Sequence, residues 1–213
     1  MSELSLDAEL IKTLLNEVAA DLKSHSEDLR QLDAKIGDGD LGVTAELSSK
    51  AISEYLAIAS ETDIGKLLAQ CGMNINKVSP STFGTVLASA FMGGGKAVMG
   101  KTQLEVNDLV LLGEGAIENI QKRGKAEAGD KTVLDTIVPA VAALKRELES
   151  GTDTQTAISA AVKAAEDGMI ATIDMKAKFG RAKWFQDSSI GVQDGGATAM
   201  YYMIRLFGQR LLP

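Results

Sequence analysis

Hydrophobic residues recur at intervals of three or four along most of the chain, the spacing of one face of an α-helix. The clearest stretches run from Leu10 to Leu22, continuing toward Leu29, and from Leu134 to Leu148. The same spacing predicts helices at about 43–59, 63–76, 81–98, 105–122, 154–172 and 197–206. No stretch shows the strict alternation of a half-buried strand. The pattern therefore predicts eight helices and an all-α fold.

Glycine, proline and capping residues indicate where these helices begin, end or bend. Ser79-Pro80 is typical of a helix start, because serine caps and proline is tolerated in the first turn. The run Gly93-Gly94-Gly95 is expected to end or loosen the fourth helix. Asp130 is expected to cap the helix that follows it, and Pro139 inside that helix predicts a kink.

The composition is that of an ordinary soluble domain. Of the 213 residues, 45% are hydrophobic and 4% aromatic, which favours closely packed helices in a single domain spanning residues 1–213. A net charge of −7 argues against nucleic acid or an anionic membrane as a partner, because both attract cationic surfaces. The single cysteine excludes an internal disulfide, and the first residues lack a secretion signal. We expect a cytoplasmic protein.

Three aspartates, Asp33, Asp38 and Asp40, lie within eight residues and are interrupted by Gly37 and Gly39. Carboxylates are ligands of hard cations, and glycines permit tight turns. Magnesium keeps few protein ligands and completes its shell with water and phosphate oxygens, so the cluster indicates a metal–nucleotide site. An acidic surface turn explains the same residues equally well. A calcium-binding EF-hand does not, since its twelfth position lacks glutamate.

Three later segments are suited to contacting an anion. Residues 124–132 place glycines, two lysines and a threonine directly before a helix, whose amino terminus attracts phosphate. Residues 176–183 hold four cations, of which Arg181 is placed to contact phosphoryl oxygens with two nitrogens. Residues 193–196 form a flexible turn before the last helix. Judged singly, such segments are more often capped or solvated loops than anion sites.

Other reactive residue types offer no catalytic group. Cys71 lies in an apolar setting and is predicted to be buried, and no histidine near it would form a thiolate pair. His25, the single histidine, is predicted to lie on the surface. Trp184 beside the basic segment is predicted to pack as a lid over the loops.

Taken in order, four motifs cover nearly the entire chain. They are Leu32-Asp-Ala-Lys-Ile-Gly-Asp-Gly-Asp-Leu-Gly42, Phe83-Gly-Thr85, Arg123-Gly-Lys-Ala-Glu-Ala-Gly-Asp-Lys-Thr132, and Gly180-Arg181 through Ser189-Ile-Gly-Val-Gln-Asp-Gly-Gly-Ala-Thr198. In this order the motifs resemble the nucleotide-binding L subunit of dihydroxyacetone kinase. The resemblance implies an eight-helix antiparallel barrel with the nucleotide at one end.

The resemblance also implies roles for individual residues. Asp33, Asp38 and Asp40 would bind two magnesium ions that bridge the phosphates of ADP or ATP. Arg181 would stabilise the transferring phosphoryl group. The positions that would line the nucleotide site are Leu41, Gly42, Val43, Thr44, Ser81, Thr82, Gly124, Val133, Arg181, Asp194, Gly195 and Gly196.

In that family a separate K subunit holds dihydroxyacetone covalently on a histidine. The resemblance therefore implies phosphate transfer to a small ketose or polyol bound by a partner. It leaves open whether ATP exchanges at the site or a phosphotransferase-system subunit rephosphorylates bound ADP. It also leaves open whether the chain forms a homodimer.

The chain departs from the family pattern at two places. Family members typically have histidine after the third metal aspartate, where this chain has Leu41, and a longer loop before Phe83, where this chain has only residues 78–82. The longer loop would cover the nucleotide. These departures favour an alternative, a non-catalytic nucleotide-binding module with a regulatory or interaction role. A helical interaction protein without a ligand is a third reading.

Overall fold

The computed structural model describes residues 4–212, most of which are α-helical. The helices are α1 (Ala8–Ser24), α2 (Ser26–Asp33), α3 (Leu41–Leu56), α4 (Ile64–Val78), α5 (Thr82–Ala97), α6 (Val106–Gly124), α7 (Leu134–Glu149), α8 (Thr154–Ala171) and α9 (Gly195–Leu211). Two 3-10 segments, Thr172–Asp174 and Arg181–Ser189, follow α8. Two short strands, β1 (Leu6–Asp7) and β2 (Gln103–Leu104), pair antiparallel, which the hydrophobic pattern did not indicate.

Eight of these helices form a closed ring. From α3 to α9 each helix packs against the next along the chain, and α1 contacts both α3 and α9. The short α2 lies against α3 and α9 at the edge of the ring. The predicted all-α, eight-helix barrel is confirmed. The extra helix arises because the first predicted helix is interrupted at His25, between α1 and α2.

Helix α5 runs without a break through Gly93, Gly94 and Gly95, so the expectation that this run ends or loosens the helix is wrong. The glycines face neighbouring helices. A side chain at Gly65 of α4 would come within 2.5 Å of the Gly95 carbonyl oxygen, and one at Gly115 of α6 within 2.7 Å of the Gly93 oxygen. The glycines serve close helix packing, which local propensity does not reveal.

Two predicted helix starts are also corrected. Ser79 ends α4, and Ser81 caps α5 by accepting a hydrogen bond from the Gly84 N–H at 3.0 Å. Asp130 does not cap α7, which begins after Val133 without a side-chain cap. The Asp130 carboxylate instead accepts from the Glu127 N–H at 2.8 Å. Helix α7 continues through Pro139, and its kink stays a prediction.

The interior of the ring is apolar. A cavity of about 230 Å³ at its centre is lined by side chains such as Leu68, Phe91 and Phe207. Cys71 is buried, as predicted. Between residues 4 and 212, no helix combines the length and hydrophobicity required to cross a bilayer.

Candidate functional site

The amino termini of four helices meet around one cavity of about 270 Å³. Its walls include Leu41 of α3, Thr82 of α5, Val133 before α7 and Gly195 of α9. These helices alternate around an antiparallel ring, so they point the same way and begin at the same end. The first N–H groups of a helix lack partners within it and carry a partial positive charge. An acidic chain thus presents a local site for an anion.

The three aspartates converge at the edge of this cavity. Asp33 ends α2, while Asp38 and Asp40 directly precede α3, and one carboxylate oxygen from each lies within 4.8 Å of the others. Gly39 adopts a φ of +74°, a conformation that residues with side chains rarely take. A side chain at Gly37 would collide with the Asp33 carboxyl group. The two glycines therefore allow the loop to bring the carboxylates together.

The carboxylates have the properties of an oxygen-donor cation site. Burial raises the pKa of Asp33, opposed by the backbone N–H groups of Leu41 and Gly39, and the charge of Asp38 raises it further. Burial and the charge of Asp38 also raise the pKa of Asp40. The Asp33 Oδ2 atom is buried without a hydrogen-bond partner. A hard cation such as magnesium fits this donor set and would satisfy that oxygen.

The Arg181 guanidinium contacts two of the three aspartates, Asp38 and Asp40. Its Nε atom is 2.6 Å from Asp38 Oδ2, and a terminal nitrogen is 3.9 Å from Asp40 Oδ2. The preceding residue, Gly180, has a φ of +62°, so the chain turns sharply before the arginine. About half of the Arg181 side chain is exposed. A phosphate at this edge would therefore meet the guanidinium and the carboxylate cluster together.

The two lysines of the turn before α7 lie in different environments. Lys125 ends α6 in a left-handed conformation and is exposed. Lys131 is buried, with 2% of its surface accessible. Its ammonium donates to the carbonyls of Met175, Ser189 and Val192 at 3.0, 2.6 and 2.6 Å. Lys131 is therefore committed to the protein backbone.

The start of α9 completes the cavity. The Asp194 carboxylate caps the helix by accepting from the Ala197 N–H at 2.7 Å, and its own N–H donates to Thr172 Oγ1 at 3.0 Å. Burial raises the pKa of Asp194 to about 6. A side chain at Gly195 would approach Leu41 Cδ2 to 2.6 Å. Leu41 is buried, so it forms an apolar wall here.

The structure brings most of the residues singled out in the sequence to this cavity. Its lining includes Asp33, Asp38, Asp40, Leu41, Thr82, Gly124, Val133, Arg181, Asp194, Gly195 and Gly196. Gly42, Val43, Thr44 and Ser81 do not line it but lie next to it, on the first turn of α3 and before α5. There the Thr44 hydroxyl donates to Ser81 Oγ at 2.9 Å.

The apolar half of the cavity was not predicted from the sequence. It includes Ile36, Val86, Ile120, Ala126 and Phe179, which come from separate loops and helices. Nothing in their spacing distinguishes them from core residues, although Phe179 directly precedes the Gly180-Arg181 motif. The prediction for Trp184 is wrong, because its side chain is 79% exposed and does not pack over the loops.

Comparison with known proteins identifies a family. The profile of the DAK2 domain matches residues 35–209. The ADP-binding subunit DhaL of the PEP-dependent dihydroxyacetone kinase of Escherichia coli (strain K12) is 31% identical over 203 residues, covering 95% of this chain and 97% of that protein. The corresponding subunit of kinase 2 from Listeria innocua is 30% identical, covering 99% and 98%. The D-erythrulose kinase of Mycolicibacterium smegmatis is 31% identical, covering 91% of this chain and 34% of that protein.

Solved structures share the fold. The native dihydroxyacetone kinase of C. freundii superposes with a TM-score of 0.74 at 23% identity over 95% of this chain. The same enzyme in complex with AMP-PNP and Mg²⁺ gives a TM-score of 0.74 at 22% identity. This chain spans about a third of the length of those proteins, 34% and 35%.

Proposed function

The chain belongs to the DAK2 domain family, and from that premise we propose that it is the magnesium- and nucleotide-binding subunit of a dihydroxyacetone-kinase-like phosphotransferase. Residues 1–213 would act as one domain, and a separate K-type subunit would hold a small ketose or polyol. The observation that carries the proposal is the convergence of Asp33, Asp38 and Asp40 in front of four helix amino termini, with Arg181 against Asp38 and Asp40.

The acidic cluster would bind the metal. Asp33, Asp38 and Asp40 offer carboxylate oxygens, and the buried, unpartnered Oδ2 of Asp33 supports this assignment. We propose two magnesium ions, whose chemistry is to neutralise charge on the nucleotide phosphates. The aspartates hold metal and do not act as bases.

The nucleotide would lie across the cavity according to polarity. Its phosphates would face Thr82, Val133 and Gly195, where helix amino termini present N–H groups. Its base would meet the apolar half of the cavity, which includes Val86 and Phe179. Arg181 would contact the transferring phosphoryl group with two nitrogens and stabilise its charge. The partner's substrate hydroxyl would approach from the open side.

The proposal also covers the source of the transferred phosphate. The Escherichia coli and Listeria innocua relatives described above, each matched over nearly its whole length, are named PEP-dependent and ADP-binding. This likeness favours ADP that stays bound and is rephosphorylated in place by a phosphotransferase-system subunit. In the alternative, ATP exchanges at the site after each transfer.

Two features favour a second candidate, a nucleotide-binding module that transfers nothing. Leu41 provides an apolar wall where the family typically has histidine. The connection between α4 and α5 is only three residues, since α4 ends at Val78 and α5 begins at Thr82. A connection of this length is too short to extend over the cavity.

Calorimetric titration of magnesium and ADP tests the site. Asp38→Asn removes one charged ligand and should weaken binding of the magnesium–ADP complex by at least about tenfold, or 1.4 kcal/mol. Glu46→Gln, an exposed carboxylate on α3, is the matched control and should bind like the parent. Circular dichroism should show unchanged helicity in both variants. Equal affinity of Asp38→Asn and parent would remove the metal assignment.

Turnover separates the two candidate functions. The chain would be assayed with a K-type partner for phosphate transfer to dihydroxyacetone, erythrulose and related sugars. Transfer that is lost in Arg181→Gln supports the kinase subunit. Tight binding of magnesium–ADP without transfer to any of these sugars supports the non-catalytic module.

A further inference from the structure

The segment that carries Arg181 is a loop with a narrow neck. It runs from residue 175 to residue 192, between the 3-10 turn after α8 and the start of α9. The carbonyls of Met175 and Val192, at its two ends, accept hydrogen bonds from the same Lys131 ammonium. The carbonyl of Ser189 accepts a third. One cation therefore joins both ends of a segment that includes the 3-10 turns Arg181–Ser189.

The turn that carries Lys131 is itself fixed to the start of α7. Lys131 belongs to the turn before α7 and has a φ of +62°. The Asp135 carboxylate in the first turn of α7 accepts from the Gly129 and Thr132 N–H groups at 2.5 and 2.6 Å, which fixes the turn on both sides of the lysine. All three N–H donors of the ammonium are used by backbone carbonyls. The lysine links a rigid helix start to a loop.

Other contacts also anchor the segment near its neck, where the Gly191 N–H donates to the Ile173 carbonyl at 2.8 Å and Ala177 is buried. In its outer part the large apolar residues Trp184, Phe185 and Ile190 are 79%, 39% and 48% exposed, whereas Phe179 packs partly buried against the core. Close to the neck, the Ser189 hydroxyl accepts from the Ala177 N–H at 3.0 Å. Further out, Lys178 pairs with Asp130 at 2.7 Å, but its side chain is 62% exposed. Apolar burial thus contributes little to the order of residues 181–190, the part of the loop that carries Arg181.

The buried positive charge of Lys131 requires an explanation. Burial lowers the pKa of Lys131, because removing an ammonium from water is unfavourable. An apolar side chain of similar length would fill the same space without that cost. What an apolar side chain would not provide is hydrogen bonds to three carbonyls that converge from both ends of one loop. The cation therefore serves the loop's geometry more than core packing.

We propose that Lys131 is a positioning residue, whose ammonium closes the neck of the 175–192 loop and so places Arg181 against Asp38 and Asp40. The placement of the loop is a property of the free protein. Its consequence for phosphate binding rests on the proposed function. The two parts are separated by tests with and without nucleotide.

Limited digestion with trypsin tests the placement without any ligand. Arg181 and Lys183 are cleavage sites within the loop. Lys131→Met, which removes the cation, should raise the cleavage rate at both sites by about tenfold or more, while Lys131→Arg should stay close to the parent. Lys178→Met removes the exposed lysine of the same region and is the matched control, with an expected change below about twofold.

A milder variant separates a change in the placement of the loop from misfolding of the whole chain. Lys131→Gln keeps two N–H donors without the charge and should give an intermediate cleavage rate. Trp184, the single tryptophan, lies in the loop, and its fluorescence anisotropy should fall in the same order as cleavage rises. Unchanged cleavage in Lys131→Met and Lys131→Gln would overturn the proposal. Loss of helicity throughout the chain in both variants would also overturn it, because the lysine would then hold the whole fold.

A double-mutant cycle tests the consequence for the site. Affinity for magnesium–ADP would be measured for Lys131→Gln, Arg181→Gln and the double variant. If the lysine acts through the arginine, the double variant should bind within about twofold of Arg181→Gln alone. If instead the losses of affinity of the two single variants multiply in the double variant, the lysine does not act through the arginine and the proposal is overturned. If the parent itself does not bind magnesium–ADP, the proposed function fails, while the trypsin result still decides the placement of the loop.

Discussion

The raised pKa of Asp194 makes a quantitative prediction about stability and pH. Burial raises this pKa to about 6 from an ordinary value of 3.8. Between these values the folded protein keeps a proton that the unfolded chain has released. Folding therefore takes up a proton in this range, and the free energy of unfolding should fall as the pH rises from about 4 to about 6.

The magnitude follows from the size of the shift. A difference of about two pKa units at about 1.4 kcal/mol each corresponds to at most about 3 kcal/mol of stability lost across this range. Asp194→Asn removes the titration and keeps the helix cap, because asparagine caps as well as aspartate. The difference in stability between parent and variant should therefore change by up to about 3 kcal/mol between pH 4 and pH 7.

Urea unfolding followed by circular dichroism measures this difference. It would be carried out at intervals from pH 4 to pH 7, without magnesium or nucleotide. Asp153→Asn is the matched control, since Asp153 caps α8 in the same way and its pKa is lowered by hydrogen bonds to Thr156. Its stabilising effect is lost only as the pH falls below about 4. Parallel pH profiles for parent and Asp194→Asn would refute the assignment of a raised pKa to this carboxyl group.

Two further predictions concern the helical ring. Gly65→Ala should destabilise the protein by about 2–3 kcal/mol in urea unfolding, because the new methyl group would lie 2.5 Å from the Gly95 oxygen and from Met99 Cα. Gly124→Ala, with no atom within 4 Å of the added group, should change stability by less than about 1 kcal/mol, and equal losses in both would contradict the packing argument. Burial raises the pKa of Cys71 to about 12, so the folded protein should not react with a thiol reagent at pH 8. Fast reaction before unfolding would show that this thiol is accessible.

The helices could be predicted from the sequence because each buries one stripe against its neighbours. That regularity specifies where apolar faces lie, but it does not specify how helices are arranged in a ring. The barrel was implied by the family resemblance that the motifs carry and did not follow from periodicity. Local rules failed at His25, where one long amphipathic stretch divides, and at Gly93–Gly95, where packing outweighs propensity.

The candidate site, like the fold, could be predicted from the sequence only in part. Asp33, Asp38 and Asp40 were recognisable because three carboxylates interrupted by glycines fall within eight residues, although an acidic turn explained the same pattern. The apolar half of the cavity was not, since residues such as Val86 and Ile120 have the same spacing as the core. The burial of Lys131 was not predicted, because a lysine in a glycine-bearing loop is usually solvated and its three carbonyl partners lie 44 to 61 positions away along the chain.

The Gly93-Gly94-Gly95 run of α5 also affects how the ring forms. Each glycine makes a helix less favourable than alanine by about 1 kcal/mol, so α5 alone would be mostly unfolded in water. Its order depends on the surfaces that α4 and α6 present to Gly93 and Gly95. The opposite end of α5 supplies Thr82 to the cavity. Folding of this wall of the cavity should therefore be cooperative with helix packing at the far end of the ring, rather than a local event.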